Sequence, residues 1–319
     1  MTDLRTALPP RTEVVAFLQV AGVYLAIAAL LVFNLVFTPN FATVTNLRLQ
    51  LVQVAPVAIV AIGMALVIAS EGIDLSVGAT MAITAALLPL YLGYGVWVAI
   101  VISLAAGLLV GLVNGSLIAF AGMQPIIATL GLLVAGRGLA LVFAEGRLTE
   151  IFDPTLNTLG NSAVLGVPIS VLLALVITVA AGVAVHRTAF GRRLLATGGN
   201  RAAATLAGLP VKRTLVTVYV LSGLLAATAG LLTTARQGAS DPSFVGLLIE
   251  LSAITAVVVG GTPLSGGRVR ILGTLMGALL MQLITATVIQ QNLPDSAARM
   301  IQASIIVAAV YLQRGRGAS

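Results

Sequence analysis

The sequence predicts an all-α protein, a polytopic membrane helix bundle of about ten transmembrane helices with the N- and C-termini cytoplasmic. Three observations lead there. Hydrophobic residues make up 59% of the 319-residue chain and charged residues only 8%, where a soluble domain carries roughly 25% charged residues. The mean hydropathy is +1.10. The apolar residues form continuous runs of about 20, not alternating segments of about ten. So few charges cannot cover a water-facing surface, so lipid is the solvent. Lipid leaves only structures that satisfy their own backbone, and the run length decides for helices over a closed barrel.

Taken in order, the runs fall at 14–37, 51–70, 75–92, 97–120, 125–143, 167–185, 214–234, 245–262, 270–290 and 297–312. The first, Val14 to Phe37, is longer than a secretory-signal core and has no small-residue cleavage pattern after it, so it reads as a retained span. The longest connections, 144–166 outside and 186–213 inside, are too short for a core of their own. A single transmembrane domain over 1–319 is therefore expected.

Orientation follows from the cations. With the N-terminus inside, the inner segments hold Arg5, Arg11, Arg187, Arg192, Arg193, Arg201, Lys212, Arg213, Arg268, Arg270, Arg314 and Arg316. The outer side keeps Arg48, Arg137, Arg147, Arg236 and Arg299. Basic residues collect in cytoplasmic loops, which accounts for the net charge of +7 without nucleic acid as a partner. Cysteine is absent and histidine occurs once, which argues against disulfides, thiolate metal sites and a histidine-based catalytic centre.

The first segment with chemistry in it is Ser70-Glu71-Gly72-Ile73-Asp74-Leu75-Ser76-Val77-Gly78. It sets two acids between apolar runs with almost no loop. Acids near a bilayer are costly and mark function. Gly72 also breaks the second helix, which lets Asp74 cap the third. Three readings of this helix junction stand open: a cap, a contact with solute or a coupling ion in the pathway, and a contact with a partner subunit. A second stretch, Gly261-Thr262-Pro263-Leu264-Ser265-Gly266-Gly267, repeats the spacing of Gly72, Leu75, Ser76 and Gly78. It reads either as an internal duplication or as two helix junctions built from the same turn residues.

The inner loop 186–213 ends in a short, fully punctuated helix. Asn200 is a good N-cap, Arg201, Ala202, Ala203 and their successors to Ala207 are mostly helix formers, Gly208 suits the position after the helix, and Pro210 stops continuation. A short helix of small residues fits a groove on another protein or, alternatively, the lipid interface. Gly107, Gly111 and Gly115 share one face of the fourth span, and Gly273 and Gly277 one face of the ninth, which allows close helix approach. Within the spans, Gln53, Asn114, Arg137 and Gln282 are candidates for a solute path, because amides both donate to and accept from hydroxyls. Interhelical bonding is the competing reading for each. Arg137 is expected to snorkel to the outer surface or to pair with Glu145 or Asp153. The chain contains no G-x-x-x-x-G-K-[ST] loop. It is thus expected to bind no cofactor, and any ATP that drives it is hydrolysed on a partner chain.

The sequence resembles the permease subunits of the ribose/galactose-type bacterial ABC sugar importers, and within them a permease of the galactofuranose importer. The likeness runs from about Ala55 to Ala309 and rests on four ordered motifs. They are APVAIVAIGMALVIASEGIDLSVG over Ala55–Gly78; QPIIATLG over Gln124–Gly131 with AGRG over Ala135–Gly138; GNRAA over Gly199–Ala203 with Ala207-Gly208; and GGTPLSGGR over Gly260–Arg268. The resemblance implies a transport subunit with no catalytic residues or metal. It assigns Gly199 to Gly208 to docking on the ATPase. It also implies a second permease chain, identical or paralogous, two nucleotide-binding domains or subunits, a soluble sugar-binding protein, and the bacterial inner membrane. Many relatives carry Gly where Glu71 stands, Asp where Ser252 stands, and Ser or Thr where Pro263 stands; these departures leave the sugar unnamed. The alternative is an ion-coupled secondary transporter using Asp74 or Glu71, and a passive channel is disfavoured by the scarcity of polar residues in the spans.

Overall fold

A computed structural model describes residues 11–314, with side chains placed from Gly22 to Val307 other than at 295, 299 and 306. Arg5 and Arg316, part of the basic count at the two ends, lie outside the described residues.

The chain is helical almost throughout. In order it forms α1 (Arg11–Phe37), α2 (Val44–Ala69), α3 (Val77–Leu92), α4 (Val96–Ala119), α5 (Pro125–Phe143), α6 (Pro154–Asn161), α7 (Ile169–Arg187), α8 (Ala189–Gly199), α9 (Arg201–Leu206), α10 (Val211–Gln237), α11 (Ile249–Val259), α12 (Ile271–Gln290) and α13 (Asp295–Arg314). Six of these, α2, α4, α5, α7, α10 and α12, are long and apolar enough to cross a membrane, and α3, α11 and the Gly22–Phe37 stretch of α1 are shorter apolar helices. The protein is a polytopic helical membrane protein.

Local chemistry places the ends. The Thr43 hydroxyl accepts from the Asn46 N–H, and α5 starts on Pro125, whose missing N–H costs nothing in a first turn. The bundle is built round α10, which packs on α4, α2 and α3. The glycine face of α4 is the reason it can: a Cβ at Gly107 would lie 2.6 Å from the Gly223 carbonyl oxygen, and one at Gly115 would lie 2.8 Å from Val216 Cα. The glycines of α12 act likewise, Gly273 against Gly260 and Gly277 against Ala256 of α11.

Two segments differ from expectation. The eighth expected span, 245–262, is helical only over Ile249–Val259. Eleven residues make about 16 Å of helix, roughly half of a ~30 Å hydrocarbon core. Ahead of it the chain runs through Gly238 in the left-handed region, β4 (Ala239–Ser240) and turns, with Gly246 and Leu248 also left-handed. This non-helical stretch lies along α3: the Ser240 hydroxyl donates to the Ala85 carbonyl at 2.6 Å, and Gly246 abuts Gly78 and Met81. Irregular backbone at such depth is tolerated when protein buries it. The connection 144–166 is also more than a loop. It holds α6, capped by Asp153 on the N–H groups of Thr155 and Leu156, a strand β1 (Thr149–Glu150) antiparallel to β4, and a hairpin of β2 (Ala163–Val164) and β3 (Val167–Pro168).

Candidate functional site

The short helix α9 has the punctuation its residues call for. The Asn200 side chain accepts from the Ala203 N–H at 2.9 Å, Ala207 closes the helix, and Gly208 follows in the left-handed region at φ 75°. The Leu209 N–H then donates to the Ala204 carbonyl at 3.0 Å. Ala204 turns inward, while Ala202, Ala203, Thr205 and Ala207 are exposed. Leu206 is 90% exposed, the one large apolar side chain on the helix. The sequence reading passed over Leu206; its signal was a lone leucine, on the opposite side from the buried alanine, in a helix of small residues.

Beneath α9, three chain segments meet backbone to backbone. The Gly267 N–H donates to the Ala69 carbonyl at 3.0 Å. A Cβ on Gly198 would overlap the Ala69 carbonyl oxygen and lie 2.9 Å from the Gly267 nitrogen. One on Gly266 would lie 2.7 Å from the Gly198 oxygen and 2.9 Å from the Glu71 nitrogen. Arg201 Nη2 donates to the Ser70 carbonyl at 3.4 Å. The last turn of α8, the end of α2 and the α11–α12 connection are thus joined without intervening side chains, and α9 rides on the joint.

Both halves of the sequence echo contribute to this seat, but not in the register the echo suggests. At the end of α2, the Glu71 N–H bonds Ile68 and the Gly72 N–H bonds Val67; at the end of α11, the Gly261 N–H bonds Val258 and the Thr262 N–H bonds Val257. Glu71 therefore stands where Gly261 stands, both left-handed at φ 65° and 87°. The motif pairs Gly72 with Gly261, one residue off. The helix stop is repeated, while the following helices start at different distances, six residues on from Glu71 and ten on from Gly261. Glu71 occupies a conformation that suits glycine.

Asp74 is not the cap of α3. Ser76 holds the N-cap position and makes no side-chain cap bond. Asp74 lies two residues too early to reach the first free N–H groups of the helix. Its Oδ1 instead accepts from the Ser76 N–H at 3.0 Å and the Ser76 hydroxyl at 2.6 Å, and its Oδ2 from the Ser222 hydroxyl of α10 at 2.8 Å. Asn114 Nδ2 of α4 donates to the same Ser76 hydroxyl at 2.8 Å. All four residues are buried, so the carboxylate ties α3 to α10 and, through Ser76, to α4.

The remaining candidates separate. Gln53 and Gln282 come together: Gln282 Nε2 donates to Gln53 Oε1 at 2.6 Å and to Gln50 Oε1 at 3.0 Å. Gln290 Nε2 donates to Asn46 Oδ1 at 3.1 Å in the same seam between α2 and α12. Arg137 pairs with neither Glu145 nor Asp153. Its guanidinium turns inward and donates to the carbonyls of Pro242 at 3.2 Å, Val245 at 2.9 Å and Gly246 at 2.6 Å, clamping the non-helical stretch before α11. Carbonyls of an unwound segment, short of helical N–H partners, are a better partner for a half-buried guanidinium than a distant carboxylate. Gly78 lies against this clamp, where a Cβ would come within 2.6 Å of Glu250 Oε2.

Known proteins share this chain's pattern. The profile of the permease component of the branched-chain amino acid transport system matches residues 46–310. The fructose import permease protein of Bifidobacterium longum is 38% identical over 260 residues, 80% of this chain and 73% of its own. The galactofuranose transporter permease protein of Escherichia coli is 38% identical over 266 residues, covering 83% of this chain and 78% of its own. The ribose import permease protein of Bacillus subtilis is 37% identical over 305 residues, 94% of each chain. The chain belongs to this family of ABC importer permeases. No solved structure matches it.

A permease of this family is a transport subunit and not an enzyme. The ion-coupled alternative finds no support in the comparisons, and both oxygens of Asp74 are engaged by hydroxyl and N–H donors of the permease itself. Three features escaped the sequence reading of this permease: Leu206, the amides of Asn46, Gln50 and Gln290, and the Arg137 clamp. The amides recur along α2 at 46, 50 and 53, spacings of four and three that put them on one helix face. That periodicity was available before any fold.

Proposed function

We propose that this permease is the passage and coupling subunit of an ATP-driven sugar importer in a bacterial inner membrane. It crosses about ten times with both termini in the cytoplasm. A second permease chain faces it across the path. Two nucleotide-binding subunits work from below, and a soluble binding protein delivers the sugar from outside. ATP is bound and hydrolysed on those partners.

The observation that carries this reading is the glycine seat under α9. A force on α9 reaches the ends of α2 and α11 through backbone contacts that no rotamer change can absorb. Energy from ATP must enter through a surface of this kind, since the chain has no phosphate-binding loop. Leu206, with alanines around it, supplies the anchor for an apolar groove. Alternating access then follows from partners that bind one state of this joint better than the other. For the cargo, the amide cluster of Asn46, Gln50, Gln53, Gln282 and Gln290 offers donors and acceptors without charge, which suits a neutral polyol and does not suit a zwitterionic amino acid. The relatives' names, fructose, galactofuranose and ribose, point the same way.

The test is reconstitution with the ATPase and binding protein, assaying ATP-dependent uptake of pentoses, hexoses and leucine. Sugar uptake is expected. In the same assay Leu206→Asp and Ala203→Glu are expected to leave a folded permease that loses ATPase association by tenfold or more. Uptake of leucine without any sugar overturns the cargo, and full coupling in both variants overturns the contact.

A further inference from the structure

A groove of about 540 Å³ opens between α1, α7 and α12, near the end of the bundle that bears α9. Its wall on α7 is a helical stripe running from Thr178 through Val179, Gly182 and Val183 to His186 and Arg187. Val23 and Tyr24 of α1 and Leu272 and Gly273 of α12 face that stripe. The polarity along the groove is one-directional. Apart from the Thr178 hydroxyl, taken up by the Ala174 carbonyl, and the Tyr24 phenol, the lining away from the rim is apolar. The rim holds His186, Arg187 and Arg270, all exposed, and among the described residues no acid lines it.

The dimensions are those of a leaflet. From Thr178 to Arg187 the helix rises about 14 Å, close to half of a ~30 Å hydrocarbon core. The flanking surface is lipid-facing in character: Leu25 of α1 and Val176 and Val179 of α7 are exposed apolar residues beside the groove. Among the described residues nothing fills its middle, where a Cβ on Gly182 would find no atom within 4 Å.

An apolar channel one leaflet deep with two guanidinium groups at its mouth matches one kind of occupant. We infer that this groove binds an anionic phospholipid, acyl chain along the α7 stripe and headgroup phosphate at Arg187 and Arg270. Basic pockets between transmembrane helices on the cytoplasmic side recognise such headgroups, and arginine is well matched to phosphate oxygens. The orientation proposed above decides only which leaflet supplies the lipid. The site places a headgroup at the entrance to α12, whose preceding loop carries Gly266 and Gly267 of the coupling seat, so its occupancy stabilises one arrangement of that loop.

The purified full-length permease, titrated with dioleoylphosphatidylglycerol and separately with dioleoylphosphatidylcholine and read by native mass spectrometry, tests this. The anionic lipid is expected to be retained at least tenfold more tightly. An Arg187→Gln/Arg270→Gln double variant should weaken that retention by roughly tenfold or more, and Gly182→Leu, which fills the groove, should remove the tightly held lipid. Millimolar inorganic phosphate should not displace it. Equal retention of the two lipids, a preference that survives both variants, or displacement by phosphate alone overturns the proposal. So does a cross-link in membranes from Gly182→Cys to a second permease chain or an ATPase subunit, which would show the groove covered by protein. The titration reads binding without transport, so its failure leaves the importer reading standing.

Discussion

Two regions of this permease are built from opposite materials. Under α9 the contacts are backbone on backbone, made possible by Gly198, Gly266 and Gly267. Between α2 and α12 they are long amide side chains, Gln50, Gln53, Gln282 and Gln290, each able to exchange one partner for another. A joint without side chains has no soft degree of freedom and passes a displacement on unchanged. A cluster of amides re-forms its hydrogen bonds round a different set of hydroxyls at little cost. On the proposed function, stiffness serves the end that receives force, and adaptability serves the end that meets a solute with several hydroxyls.

Breaking the stiff end should have the largest effect. Gly198→Ala drives a methyl into the Ala69 carbonyl and is expected to abolish ATP-driven uptake, while Gly199→Ala, whose Cβ would meet nothing nearer than the Gly267 Cα at 4.0 Å, should stay near wild type. Paired uptake and ATPase assays on the two neighbours check this. Equal behaviour would mean that the seat is not a rigid joint. At the adaptable end the loss should be graded. Gln53→Ala removes one of two acceptors for Gln282, and with about 1 kcal/mol per net hydrogen bond the half-saturating sugar concentration should rise by roughly fivefold with ATPase stimulation intact. A change in ATPase stimulation alone would move these amides from the path to the coupling machinery. The smallest effect is a gain. Glu71 holds a left-handed backbone conformation that costs a non-glycine residue about 1 kcal/mol. Glu71→Gly should raise the melting temperature by a few degrees, measured on the purified permease. A drop would show that the Glu71 side chain makes a compensating contact within the permease itself.

Legibility in the sequence follows the range of the interaction. The caps of α9 were readable because Asn200, Gly208 and Pro210 act on their own neighbours through bonds spanning a few residues. The glycine face of α4 was readable as a packing surface, though not its partner, since 3.6-residue periodicity reveals a face and not what meets it. The broken span was missed because hydropathy runs unchanged across Val245 to Leu248 and integrates over the left-handed turns at Gly246 and Leu248. The cap was one of three readings open for Asp74, because cap chemistry is local, yet Ser222, 148 residues away, claims its other oxygen.

Composition, run length and cation placement by themselves determined that this chain lives in lipid as a helix bundle, and four short motifs determined its family. Those properties are sums over many residues or patterns within a few, and they need no fold. The tertiary structure alone decided that Ala69, Gly198 and Gly267 touch, that Arg137 clamps the stretch before α11, and that the amides of α2 meet those of α12. Each joins residues about seventy or more positions apart, and a long side chain or a bare glycine has no preferred distant partner until helix packing brings one within reach.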